Sequence, residues 1–249
     1  MRNLKKLEKK KKIYSGRNNS GSIMVRHRGG GAPHFYRLID FKRAIFDLPA
    51  VVLSIKLDPN RSSFIALILY KNGFLSYINA ASALKKGDLI LTSKIAPISM
   101  GNALPLSDIP VGTIINNIEL NFGLGSQLCR SAGTFGTLLA RKLGGYSIVR
   151  LKSKEEYIIF SKNLAVIGIV SNSDFHLKNL KKAGTSRHLG IRPHVRGVAM
   201  NPVDHPHGGG EGKTSGGRPS VSPWGKLTKG LPTRKKKKNN KYIYKSRKV

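Results

Sequence analysis

The sequence predicts a mainly β chain: two small barrels in series, flanked by irregular basic extensions. Three observations carry that expectation. Short β-branched and aromatic runs recur through the middle of the 249 residues, broken by Gly, Pro and Asn. Runs with helical apolar spacing are few. Charge is segregated, since residues 1–49 carry +10 and residues 174–249 carry +16 of a net +33, against +7 on residues 50–173.

The elements follow in order. Residues 1–33 form a basic N-terminal extension. Strands are predicted over Ala50–Asp58, Phe64–Lys71 and Phe74–Ala80, with Asn72-Gly73 between the last two as a type I′ hairpin turn. Asp88–Thr92, Thr113–Leu120, Tyr146–Lys152, Tyr157–Ser161 and Ala165–Val170 continue the series. Ile95–Gly112, with Pro97, Pro105 and Pro110, reads as the linker between barrels at 34–98 and 99–174. Thr134–Lys142 fits a strand or a helical turn. Leu177–Lys182 reads as a short helix ended by Gly184. Residues 175–249 form a Gly/Lys/Arg-rich extension, too poor in apolar residues to offset its ordering entropy without a partner.

Composition narrows the function. With 45 Lys plus Arg against 12 Asp plus Glu, self-repulsion opposes compaction until an anion neutralises it. The single cysteine, Cys129, excludes an internal disulfide and a multi-cysteine zinc site. No apolar run reaches the roughly 20 residues of a membrane helix, and Met1 to Lys12 lacks the apolar stretch of a secretory signal. A soluble intracellular binder of polyanions, without a membrane partner, is expected.

Catalytic motifs are weak. Gly208-Gly209-Gly210-Glu211-Gly212-Lys213-Thr214 approaches the phosphate-binding G-x-x-x-x-G-K-[ST] loop, but His207 stands where the first glycine belongs. The Pro-rich segment before it does not suit a central strand. Asp204, His205, His207 and Glu211 lack the one-face spacing of a helical zinc site. Gly123-Leu124-Gly125 lacks the third glycine of a dinucleotide fingerprint. No catalytic residue, metal ligand or cofactor is assigned, and Mg²⁺ is expected only as a counterion of bound RNA.

RNA-binding features agree with one another. Arg17 and Asn18, then Arg26, His27 and Arg28 before three glycines, combine fork-shaped donors with backbone that can approach phosphate closely. Arg187, His188, Arg192 and Arg196 repeat the arrangement near the other end. Phe35 and Tyr36 suit either base stacking or barrel core. The basic elements are irregular loops with no recognition helix, which suits folded RNA better than duplex DNA.

These residues resemble a known family, that of the universal second protein of the large ribosomal subunit in its bacterial and organellar form. The resemblance rests on Gly16-Arg17-Asn18-Asn19, Arg26 to Gly31, Tyr36-Arg37 with Asp40-Phe41-Lys42-Arg43, and Asp58-Pro59-Asn60-Arg61. It continues through Met100 to Leu106, Ile109 to Thr113, and Gln127-Leu128 with Arg130-Ser131-Ala132-Gly133-Thr134. Its most specific part runs from Arg192-Pro193 to Asn201-Pro202-Val203-Asp204-His205-Pro206-His207-Gly208-Gly209-Gly210-Glu211-Gly212, followed by Pro223-Trp224-Gly225.

The resemblance implies an OB-fold, then an SH3-like barrel, then an extension threaded into large-subunit rRNA. It implies a structural constituent that supports subunit assembly, subunit association and the architecture of the peptidyl-transferase centre. Expected partners are large-subunit rRNA, other large-subunit proteins and small-subunit groups at the bridge. Arg17, Arg26, Arg28, Arg192 and Arg196 are expected to clamp phosphates and Trp224 to stack. Arg37, Lys42, Arg43, Arg61, Arg130, His207, Lys213, Arg218 and Arg234 complete the expected contacts. His205, doubly protonated, would orient a phosphate or 2′-hydroxyl as an architectural group. The chain departs from the family pattern in a shorter N-terminal arm, in Ala32-Pro33, which loses a donor pair, and in Gly123-Leu124-Gly125-Ser126, which removes a positive charge. Lys outnumbers Arg 29 to 16, the usage of an AT-biased genome. With the short arm it points to a mitochondrial ribosome, with a plastid or bacterial cytoplasm as alternatives.

Overall fold

The computed structural model describes residues 6–231 and 241–246. They divide into two compact units: residues 6–11, 33–179 and 241–246 form one, and residues 12–32 and 180–231 the other.

The first unit contains both barrels. β1 (Glu8–Lys10) and β2 (Phe35–Arg37) pair antiparallel, with Glu8 opposite Arg37. β3 (Ala50–Leu57), β4 (Phe64–Tyr70), β5 (Leu75–Asn79) and β6 (Leu89–Ile90) make an antiparallel sheet of order β5-β4-β3-β6. A register shift between Val52 and Ser54 in β3 bends that strand. Asp40 N–H donates to Tyr77 O, returning the chain after β2 to the free side of β5, so the sheet curls into the OB barrel. β4 reads FIALILY because it is covered on both faces. Ala66, Ile68 and Tyr70 join one core cluster with Val52 and Ile78, while Ile65 and Leu67 meet Tyr77 on the other side.

The β4–β5 hairpin is not the expected type I′ turn. Gly73 N–H donates to Tyr70 O (2.8 Å) and Tyr70 N–H to Phe74 O (2.9 Å), a three-residue loop with positive φ at Gly73 and not at Asn72. Asn72 serves through its side chain instead, accepting from the Phe74 amide at 3.1 Å.

The second barrel uses β7 (Ala103–Pro105), β8 (Ile114–Asn116), β9 (Ile118–Glu119), β10 (Ser126–Leu128), β11 (Gly136–Lys142), β12 (Tyr146–Leu151), β13 (Glu156–Phe160), β14 (Leu164–Ile167) and β15 (Ile243–Lys245). Their order is β15-β13-β12-β11-β8-β14-β7, with β9 and β10 a separate pair. This is the SH3-like barrel, packed around Ile115, Ile118, Leu138, Val149 and Ile159. The predicted strand over residues 113–120 is divided by Asn117, whose φ is +46°.

Three expectations change and one open alternative is decided. The linker reading of Ile95–Gly112 fails, because β7 lies inside it and Leu104, Leu106 and Ile109 are fully buried. Pro105 is tolerated because β7 is an edge strand. Thr134–Lys142 resolves as strand β11. The helix expected at Leu177–Lys182 is absent. A 3₁₀ turn at Ser173–Leu177 and a helix, α1, at Ala183–His188 stand on either side, neither burying a residue. The ends are not wholly irregular, since β1 and β15 both join barrels. No described helix is long and apolar enough to cross a membrane.

Asp58 anchors the loop between β3 and β4. Its buried carboxylate meets Arg61 Nε at 2.7 Å and Arg37 Nη1 at 3.2 Å. Burial alone would raise its pKa, but hydrogen bonds from Arg61 and Asn60 and the charge of Arg61 outweigh burial and hold it below the ordinary value. A carboxyl depressed by folding stabilises above its unfolded pKa, about 3.9, and that contribution is lost as pH falls through the folded value. Urea midpoints of the native protein and Asp58→Asn should therefore differ most at neutral pH and converge below about pH 4. A gap that persists unchanged in acid would remove the carboxylate from this role.

Candidate nucleic-acid interface

The second unit carries thirteen basic side chains against two acidic ones, Asp204 and Glu211. Its first part is a tight loop. Asn18 Oδ1 accepts from the Ser22 amide (2.9 Å) and Ser20 Oγ (2.8 Å), and Met24 and Val25 both donate to Gly16 O. Asn18 thus shapes the loop that presents Arg17. Gly16 is required there, because a Cβ would lie 2.1 Å from Val25 O.

The chain then pairs with the segment after α1. Gly29 N–H donates to Gly190 O, Ala32 N–H to His188 O and Arg192 N–H to His27 O. His27 Nδ1 donates to Pro193 O at 2.9 Å, and its ring lies 4.3 Å from that of His194. The result is a cleft of about 350 Å³ lined by Arg17, Arg26, Arg28, Arg192, Gly29 and Gly30 among others, with no carboxylate among the described residues of its wall. Two buried nitrogens of this unit, His27 Nε2 and Arg187 Nη1, have no hydrogen-bond partner among the described residues. Trp224 is exposed at the tip of a second three-residue hairpin, Gly225 N–H to Ser222 O and Ser222 N–H to Lys226 O, and Arg26 stacks 5.4 Å from its ring centroid.

The loop over residues 197–221 is built on two histidines. His207 N–H donates to His205 Nδ1 at 3.0 Å, which leaves His205 its proton on Nε2. His207 Nδ1 donates to Gly216 O and its Nε2 accepts from the Val221 amide, both at 3.0 Å. The rings stack at 5.1 Å. Small residues make room: a Cβ on Gly197 would sit 2.4 Å from His205 Nδ1, and one on Gly208 2.3 Å from Asn201 O. Neither strand nor helix adjoins Gly208–Thr214, so the loop lacks the frame a nucleotide-binding P-loop requires. Among the described residues no group of three His, Cys, Asp or Glu could hold a metal ion.

Several expected contacts are placed otherwise. Arg43 is buried at 4% exposure, with Nε to Thr92 Oγ1 at 3.2 Å and Nη2 to Gly101 O at 2.8 Å. It is a core arginine, because β6 and the following chain close over it. Arg61 is spent on Asp58 and also lies over the Phe41 ring at 5.5 Å, while Arg37 is shared among Asp58, Glu8 Oε1 at 3.3 Å and Leu57 O at 3.3 Å. His207 has both ring nitrogens engaged, and His205 cannot donate from two nitrogens while Nδ1 accepts. Lys42 and Arg130 are exposed on the first unit, Arg130 4.8 Å from the centroid of Phe41. His188, Arg196, Lys213 and Arg218 are exposed on the second. Arg234 lies outside the described residues. Sequence reasoning missed Asn79, whose amide donates to Asn117 Oδ1 and Arg130 O and whose oxygen accepts from Ser63, tying the barrels together. A polar residue among the apolar positions of β5 was the available signal.

Residues 4–92 match the family model described as Ribosomal Proteins L2, RNA binding N-terminal domain, and residues 99–225 match Ribosomal Proteins L2, C-terminal domain. The chain is 54% identical to the large ribosomal subunit protein uL2 of Phenylobacterium zucineum, over 93% of this chain and 83% of that one. It is 53% identical to that of Paracoccus denitrificans over the same shares, and 52% identical to that of Azorhizobium caulinodans over 98% and 88%.

Proposed function

The chain belongs to the L2 family of ribosomal proteins, RNA-binding structural constituents of the large ribosomal subunit, and from that premise we propose that the arginine-lined cleft of the second unit is its principal grip on rRNA. One observation carries this reading. Four arginines converge on a glycine-lined cleft with no carboxylate among the described residues of its wall, and His27, whose buried Nε2 has no partner among the described residues, lines it too. Arg17, Arg26, Arg28 and Arg192 hold phosphates bidentately there. Trp224, backed by Arg26, offers its free face to a base. Arg196, Lys213 and Arg218 follow the backbone, and Lys42 and Arg130 add a contact from the barrels.

In this reading the loop around His205 is architectural. His205 Nε2–H is its one free ring donor, and no second group completes a catalytic pair, so the protein shapes the peptidyl-transferase region without turnover. Assembly, bridge contacts to the small subunit and a mitochondrial setting follow the same reading, the last supported by lysine-rich usage. Magnesium enters only with the RNA.

Sedimentation tests the assignment. The chain is expected to travel with large-subunit rRNA at high Mg²⁺ and after EDTA, and the identity of that rRNA names the compartment. A chain left near the top of both gradients would overturn it. In filter binding to a large-subunit rRNA fragment, Arg26→Ala/Arg192→Ala should lower the slope of log affinity against log salt by about one for each phosphate no longer neutralised. An unchanged slope would move the grip elsewhere.

A further inference from the structure

The first unit has an open groove of about 630 Å³, none of whose lining residues is among the expected RNA contacts. Phe46, Pro105, Phe122, Phe160 and Leu164 line it, with Lys94, Lys162 and Asp108 its charged members. Phe122 is 64% and Phe46 45% exposed. The shape is held in place. Phe160 packs edge-on against Tyr146 at 5.8 Å, Lys162 Nζ lies 5.8 Å from its centroid, and Asp47 N–H donates to Thr92 O beneath Phe46. Gly145 keeps one wall low, since a Cβ there would already touch Phe160.

Resting on the ribosomal reading above, we propose that this groove receives an extended segment of another protein, one that inserts an apolar side chain among Phe46, Phe122 and Phe160 and presents a carboxylate to Lys94 and Lys162. The chemistry of the wall selects this occupant. RNA-contacting surfaces are dense in Lys and Arg, as in the cleft of the second unit, whereas this groove has no arginine. Contiguous exposed aromatic surface marks a protein partner, and aromatic residues with few charges make the core of such interfaces. A second copy of this chain is disfavoured, because each copy brings +33 and the same two lysines to the contact. A segment carrying acidic residues beside its apolar anchor satisfies both the rings and the rim.

The test places p-benzoylphenylalanine at position 122 in the full chain, where the native side chain is exposed and belongs to none of the core clusters. Large subunits containing it are isolated on gradients and irradiated. The expected result is a cross-link to a protein segment that has an apolar side chain and at least one Asp or Glu, reduced at least fivefold by Lys94→Glu/Lys162→Glu. Retention in the subunit with a cross-link to rRNA, to a second copy, to a segment without acidic residues, or with no cross-link, overturns the groove assignment alone. Absence of the chain from the subunit overturns the ribosomal premise and the assignment with it.

Discussion

Gly208→Ala should dismantle the loop over residues 197–221 while leaving the barrels folded. The Cβ would stand 2.3 Å from Asn201 O, 2.5 Å from Asn201 C and 2.6 Å from Met200 O, all backbone atoms that cannot swing aside. Asn201 O already accepts the Asp204 and His205 amides, so displacing it breaks the turn that positions both histidines. A loss of about 3 kcal/mol or more in local stability is expected, at the severe end for a single substitution. Hydrogen exchange should show it directly, through lost protection of the His207 and Val221 amides that bond to His205 and His207. Large-subunit incorporation should fall with it. Gly212→Ala is the comparison: φ is +62° and nothing lies within 4 Å of its Cβ, so only the left-handed backbone penalty of about 1–2 kcal/mol applies. Equal behaviour of the two variants would show that the histidine loop does not depend on close approach at Gly208.

The barrels were legible because their strands are local statements. FIALILY over residues 64–70 is too apolar and too short to be anything but a strand covered on both faces, and the breaks at residues 58–60 and 72–73 bound it. Register and turn type were not local. Whether Asn72 adopts positive φ depends on how β4 and β5 meet, and here a three-residue loop with Gly73 bulged suits their twist. The prolines of residues 95–112 looked like punctuation, yet an edge strand accepts proline where a central strand does not, and pairing with β14 is invisible from within the segment.

The site was half legible for a similar reason. Arginine beside glycine marks where phosphate can be approached, and the cleft gathers Arg17, Arg26, Arg28 and Arg192 as those motifs suggest. Sequence cannot tell an arginine that faces solvent from one that closes a core. Arg37, Arg43 and Arg61 stand in family-like motifs as Arg26 and Arg28 do, but Asp58 pairs with two of them and the third is enclosed. Histidine roles were equally hidden. The pattern His205-Pro206-His207 allows two free rings, and only the amides of His207 and Val221 show that one nitrogen of each is an acceptor.

Arg43 supplies the sharpest separation of core from contact. Burial pushes its guanidinium pKa down, with Tyr70 and Asp40 opposing that effect, and among the described residues no carboxylate bonds to the guanidinium directly. Its neighbours are the neutral acceptors Thr92 Oγ1 and Gly101 O. Arg43→Ala removes both bonds, strands those acceptors and leaves a cavity, which together are expected to cost about 3–5 kcal/mol in urea unfolding. Arg43→Met keeps most of the volume and relieves the desolvation of the charge, so roughly half of that loss is expected. The RNA readout runs the other way. Arg43→Met should leave the salt slope of rRNA binding unchanged, whereas removing any one phosphate clamp from the cleft lowers it. A stable Arg43→Ala protein with a reduced salt slope would make Arg43 an RNA contact and require the β6 side of the OB barrel to open when RNA binds.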